Sequence, residues 1–222
     1  MAHIAMAICD PGDVVLVPNP GYPVFTAGPF LCGAKVETYD LHPENNFLIE
    51  FDKIPEEQAK RAKMMIVSYP LNPVCVTAPD SFYEELITFA KKYNIIILHD
   101  NAYSDIIYGG KVGKSFLAFE GAKEVGVEFY SLSKSYNYTG ARMSFVVGNQ
   151  AIIDRFKCVR SQIDYGIFLP VQYGAVAALT GPQDAVKAQC EEYDRRNHQR
   201  RRRAEPPTWP RPAPHPVEGE LY

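Results

Sequence analysis

Ser131-Leu-Ser-Lys-Ser-Tyr-Asn-Tyr-Thr-Gly-Ala141, closing on Arg142, sets one lysine among hydroxyls and an arginine directly after an apolar run, Val125 to Tyr130. A lysine in such a place can act as a nucleophile. Desolvation and a neighbouring cation lower an amine's pKa, and the neutral amine attacks a carbonyl to form a Schiff base. Ser131, Ser133 and Arg142 add hydroxyl donors and a guanidinium fork, which suit a phosphate. A nucleophilic lysine beside a phosphate cradle points to pyridoxal 5′-phosphate, whose aldehyde condenses with lysine and whose phosphate must be anchored. Taken alone, the segment also fits a solvated loop. The elements that would position it therefore carry the weight.

Those elements are short apolar runs alternating with longer helical patterns. Val14–Val17, Met64–Val67, Ile95–Leu98 and Val127–Tyr130 read as strands buried on both faces, and Phe145–Val147 as another. A helix opens near Pro79 with Phe82, Leu86, Phe89, Ala90 and Tyr93 on one face, and Ile152, Ile153, Phe156, Val159 and Ile163 stripe a later one. Pro170 to about Tyr193 reads as further helix, and Met1 to Cys9 as the end of one. The alternation predicts an α/β fold with a mostly parallel, doubly wound sheet and flanking helices. Polar residues then fall where such sheets bind ligands, beyond the carboxyl ends of the strands. Asn19-Pro-Gly-Tyr22 follows the first run, Asn72-Pro73 the second, Asp100-Asn-Ala-Tyr103 the third and Ser131–Lys134 the fourth.

A chain of 222 residues with 46% hydrophobic and 22% charged residues is that of an ordinary globular protein able to bury a full core. Its formal charge of −3 is unevenly spread. Seven Arg against three acidic residues from Arg195 to Tyr222 leave Met1–Asp194 with 16 basic and 23 acidic residues. An acidic body argues against nucleic acid as partner, and no run is long and apolar enough to span a membrane. Five scattered cysteines (Cys9, Cys32, Cys75, Cys158, Cys190) show no metal-ligand or redox spacing, so no metal is expected, and reduced thiols in a cytoplasmic protein are. The start lacks a basic leader and runs into Asp10-Pro-Gly-Asp13, unlike a signal peptide.

Four stretches together resemble the class I/II aminotransferases, pyridoxal-phosphate enzymes of fold type I: Pro18-Asn-Pro-Gly-Tyr-Pro23, Ser68-Tyr-Pro-Leu-Asn-Pro73, His99-Asp-Asn-Ala-Tyr103, and Ser131-Leu-Ser-Lys134 with Gly140-Ala-Arg142. They occur in the family's order, and the resemblance covers about residues 2–194. Within the family the wording is closest to LL-diaminopimelate and related aspartate or alanine aminotransferases. The resemblance implies the fold-type-I large domain, a homodimer in the full-length family, and amino-group transfer between an amino acid and a 2-oxo acid in amino-acid biosynthesis. It makes Lys134 the Schiff-base lysine and the base that moves a proton from the substrate Cα. Asp100 would pair with the ring nitrogen, Asn72 and Tyr103 would bond the phenolic oxygen, and Tyr22 would stack on the ring. Ser131, Ser133 and Arg142 would hold the phosphate.

The chain departs from the family's pattern at Val74-Cys75, where many members have Thr-Gly, and at Ser144, where a glycine is often found. The family's phosphate-binding loop is expected before Met1. The small domain, with its substrate-carboxylate arginine, has no counterpart, so this chain is read as a fragment that turns over weakly or not at all. Residues 1–194 are expected to form the cofactor-binding domain and 195–222 a disordered Arg/Pro-rich tail. The abrupt change after Asp194 suggests a truncated or frame-shifted end. A different pyridoxal-phosphate reaction on the same scaffold, a C–S lyase or decarboxylase, and a non-catalytic fragment are the alternatives.

Overall fold

The computed structural model describes residues 1–109, 111 and 113–203, excluding the side chains of 200–203. A six-stranded sheet runs through it. β1 (Val14–Asn19), β3 (Ala62–Ser68), β4 (Ile96–Asn101) and β5 (Gly126–Ser131) form its centre, with β2 (Lys35–Asp40) and β6 (Ser144–Gly148) at the edges. The order is β2-β1-β3-β4-β5-β6. All neighbours pair in parallel except β5 and β6. The expected α/β class and mostly parallel sheet are therefore observed.

β2 falls outside the expected strands, and its polarity is the reason. As an edge strand it pairs only with β1, and of its side chains only Tyr39 is buried, its hydroxyl donating to the Ile66 carbonyl at 2.7 Å. β6 returns antiparallel to β5 after the turns of residues 132–143. Arg142, with φ 57°, sits in the left-handed region just before β6.

Helices lie on both faces, as a doubly wound sheet requires. α4 (Asp80–Tyr93) buries Phe82, Tyr83, Leu86, Ile87, Phe89 and Ala90, and its Tyr83 meets His99 of β4 edge to face at 5.6 Å. On the other face α7 (Gln150–Ile163) sets Phe156 against Phe129 of β5, with centroids 6.2 Å apart, and packs beside α1 (Ala2–Ile8), which in turn packs on α2 (Val24–Leu31). α7 starts where expected because the Asn149 side chain accepts from the Ile152 N–H at 3.2 Å, an N-cap bond. The apolar stripe of α7 is only partly covered: Ile152 is buried, but Ile163 is exposed.

α8 (Leu169–Thr180) is apolar on all sides yet buries only Ala175. Leu169, Tyr173, Val176 and Leu179 stand exposed with Phe168 before them. α9 (Asp184–Arg203) corrects the expected boundary at Arg195, since residues 195–203 are helical. Pairs one turn apart account for this: Arg195 and Arg196 each reach Glu192 at 2.6 Å, and His198 reaches Asp194 at 3.2 Å. The rest of the expected tail, 204–222, lies outside the described residues. Among those residues no helix is long and apolar enough to cross a membrane.

Leu86 is fully buried between α4 and the sheet. Leu86→Ala should cost about 2–5 kcal/mol in urea unfolding, against less than about 0.5 kcal/mol for exposed Glu85→Ala. Equal losses for the two would refute this account of the core.

Candidate active site

The carboxyl ends of β1, β3, β4 and β5 open on one cavity of about 440 Å³. Tyr22, Asn72, Asp100, Tyr103, Ser131, Ser133, Lys134 and Arg142 all line it. Parallel strands share a direction, so residues that follow successive strands emerge along a single edge. Segments far apart in the chain thereby meet.

Each side chain has a local reason for its place. Tyr22 follows Gly21, where an added Cβ would lie 2.5 Å from the Pro18 carbonyl oxygen, so only glycine permits this tight exit from β1. The Tyr22 ring is about half exposed and meets Phe25 edge to face at 6.0 Å. Tyr103 is buried, and the Lys134 Nζ lies 5.7 Å from its ring centroid. Lys134 itself rides on α6 (Leu132–Ser135), which begins where the Ser131 Oγ accepts from the Ser133 N–H at 3.2 Å. Capping uses that oxygen as acceptor and leaves the Ser131 hydroxyl proton available as a donor. Gln189 of α9 donates to the Lys134 carbonyl at 2.8 Å, fixing the turn from outside. Thr139 Oγ1 donates to the Ser133 carbonyl, and Arg142 Nη1 to the Thr139 carbonyl, both at 2.9 Å. The arginine is thus tethered by one nitrogen while its other N–H groups are available for an anion.

Two carboxylates on neighbouring strands have opposite surroundings. Glu128 pairs across the strands with His99, whose Nδ1 lies 2.9 Å away, and accepts from Ser115 Oγ at 2.8 Å and the Phe116 N–H at 2.7 Å. Burial pushes its carboxyl up, but the bonds from His99, Ser115 and Asn101 outweigh this and hold it below the ordinary carboxylate range. Nδ1 must carry the His99 proton, since a carboxylate only accepts; Nε2 is buried with no partner. Asp100 points to the other face, into the cavity. Burial pushes its carboxyl up to about 6, opposed by charge at His99 and at the Met1 amino group, and no hydrogen bond contributes. A desolvated carboxylate without hydrogen-bond donors favours a cation beside it.

The donor set suits pyridoxal phosphate. Asp100 needs a positive partner such as a protonated ring nitrogen, Lys134 offers an amine, and Ser131, Ser133 and Arg142 offer donors for a phosphate. Ser144, where a glycine is often expected, lines the same wall, as do Ser68 and Thr139, which the sequence reading did not single out. Ser68 ends β3 and so obeys the strand-end rule. Glu128 was hidden inside a run that otherwise reads as apolar.

Residues 1–205 match the family described as aminotransferase class I and II. The chain is 46% identical over 196 residues to the LL-diaminopimelate aminotransferase of Halothermothrix orenii, covering 88% of this chain and 50% of that protein. It is 40% identical to the glutamate-pyruvate aminotransferase AlaC of Escherichia coli, covering 88% and 48%. Among solved structures it superposes on substrate-bound BacF of Bacillus subtilis with a TM-score of 0.85 at 37% identity, covering 88% of this chain and 49% of that one. A probable N-succinyldiaminopimelate aminotransferase of Thermus thermophilus gives 0.84 at 32% identity, covering 88% and 52%. The chain spans about half the length of these relatives.

Because the folded state raises the Asp100 pKa from 3.8 to about 6, it binds that proton more tightly than the unfolded chain does. Stability is then full below about pH 4, falls as pH rises toward 6 and stays lower above it. Asp100→Asn should therefore stabilise the cofactor-free chain at pH 7 by an amount of order 3 kcal/mol, and by almost nothing at pH 4. Urea unfolding at the two pH values checks this; an equal effect at both would rule it out.

Proposed function

We propose that this chain, which belongs to the class I and II aminotransferases, holds pyridoxal phosphate against Lys134 and forms the cofactor half of a transaminase. The observation that supports this best is the meeting of all eight expected residues around one cavity at four neighbouring strand ends. When bound, the cofactor supplies an aldehyde that condenses with an amine and a ring that accepts electrons from the substrate Cα. The chain's own groups do the rest. Asp100 keeps a proton on the ring nitrogen and is itself relieved of its unpaired burial. Asn72 and Tyr103 bond the ring's phenolic oxygen, and Tyr22 covers the ring. Ser131, Ser133 and Arg142 anchor the phosphate through charge-assisted hydrogen bonds, each worth about 1.5–3 kcal/mol. Lys134 would carry the reactive amine and, when that amine is free, would be the base that takes the proton from the substrate Cα.

The reaction so served is ping-pong transfer of an amino group from an amino acid to a 2-oxo acid, within amino-acid biosynthesis. Residues 1–194 are read as the cofactor-binding unit. The five free cysteines suit a reducing cytoplasm. The exposed apolar side chains Phe168, Leu169, Tyr173 and Val176 favour a homodimer, because a face of that kind is rarely left in water.

Incubation with pyridoxal phosphate followed by borohydride should fix one adduct, on Lys134 by peptide mapping, and Lys134→Ala should lose it together with the visible absorbance. An adduct that survives in Lys134→Ala would refute the assignment. With an amino acid present, pyridoxamine phosphate should accumulate; release of a small thiol or of carbon dioxide instead would move the protein to lyase or decarboxylase chemistry. Sedimentation should give a dimer that Tyr173→Glu weakens by about tenfold or more. A monomeric wild type would sink the dimer.

A further inference from the structure

α6 contains only Leu132–Ser135, far too short to hold itself in place, so the position of Lys134 depends on what grips that turn. Gln189 grips its main chain. A second grip comes from a residue with no role in the reading above. Asp105 lies two residues beyond Tyr103, in the loop that leaves β4. Its Oδ2 accepts from Ser135 Oγ at 2.7 Å and also from the Tyr130 hydroxyl. Ser135 is buried and directly follows Lys134; Tyr130 directly precedes Ser131. Tyr130 also stacks on Phe145 of β6, at 5.1 Å and 26°.

Resting on the reading of Lys134 as the cofactor-binding lysine, we propose that Asp105 is a positioning residue that locks the lysine turn to the Tyr103 loop. One carboxylate oxygen joins three segments: the loop that carries Tyr103, the end of β5 that carries Ser131, and the turn that carries Lys134. A charged acceptor is the strongest available for two hydroxyl donors. The flexible lysine stem cannot place its own amine, so the anchoring of its Cα decides how often Nζ meets an aldehyde in line. Asp105 is not among the residues that line this cavity: it acts through Ser135 and Tyr130.

The test separates placement of the amine from binding of the ring and phosphate. Pyridoxine 5′-phosphate has no aldehyde and reports binding alone; pyridoxal phosphate with borohydride reports adduct formation at Lys134. Asp105→Ala should slow adduct formation by about tenfold or more while pyridoxine phosphate affinity stays within about twofold of wild type. Asp105→Asn should recover most of the rate, since an amide oxygen accepts the same two bonds, and Ser135→Ala should lose about threefold. In samples matched for folded fraction, a residue that merely stabilises the fold would leave both readouts at the wild-type level. Wild-type adduct rates in Asp105→Ala, or parallel losses in rate and affinity, would overturn the proposal. If Asp105→Ala does not fold, a wild-type rate in Ser135→Ala overturns it equally. Absence of any Lys134 adduct in the wild type would instead strike the assignment of the lysine itself.

Discussion

The parallel register of β4 against β5 is the constraint on which the rest depends. It sets His99 opposite Glu128 and Asp100 opposite Phe129, one pair on each face of the sheet. A slip of one residue would turn Asp100 toward α4 and put His99 into the cavity. Several contacts oppose such a slip. The Glu128 carboxylate is held from three directions by His99, Ser115 and Phe116. Gly126, at the head of β5, lies so close to β4 that a Cβ would sit 2.4 Å from the Ile97 carbonyl oxygen. The register thus comes from a buried polar pair and a close backbone approach on the far face. Its consequence appears on the near face, where Asp100 faces the cavity that Lys134 also lines.

The two carboxylates divide the labour between stability and binding. Glu128 is satisfied within the chain, so its burial supports the fold. Asp100 is partly buried and desolvated without a donor, so its desolvation works against the fold and favours a cation at this place. A group of that kind raises affinity for a positively charged partner at the expense of the free protein. The same division recurs around Lys134. Its carbonyl, the neighbouring Ser135 and the Ser133 carbonyl are all engaged by Gln189, Asp105 and Thr139. Main chain and supporting side chains are fixed, and the reactive amine is presented at the cavity.

Much of this was legible in the sequence, for a physical reason. Central strands such as Val14–Val17 and Met64–Val67 must be apolar on both faces, so they stand out against any background, and the polar residues after them mark the sheet's carboxyl edge. Tyr22, Asn72, Asp100, Tyr103 and Lys134 were found that way. β2 was not, because an edge strand such as Lys35–Asp40 needs no apolar face and resembles a loop. Glu128 was passed over because a lone carboxylate in an apolar run gives no sign of its partners, which come from β4 and from residues 115–116. Asp105 is harder still. Its importance lies in two hydroxyls 25 and 30 residues away, and no spacing rule connects them. The helical extent of α9 was misjudged because its arginines suggest a solvated tail, whereas pairing with Glu192 one turn back suits them to a helix.

The site's parts also explain how a chain spanning half the length of its relatives can bring all eight proposed cofactor residues together. Every residue assigned to the ring, the phosphate or the reactive amine lies between Tyr22 and Arg142, on strand ends or the turns that follow them. Their geometry depends on the sheet and on α4 and α7, which cover its two faces. α8 plays a different part: it is apolar on all sides and covered on almost none, so its outer surface contributes little to holding the sheet together. Cofactor capture and the burial of α8 are therefore separable in energetic terms. Gln183, just before α9, and Gln189, Cys190 and Asp194 within it reach the strand-end loops through Tyr136, the Lys134 carbonyl with Asn137, the Ile107 carbonyl and the Gly109 N–H. A movement of α9 reaches the lysine turn through Gln189, and the grip of Asp105 on that turn resists it.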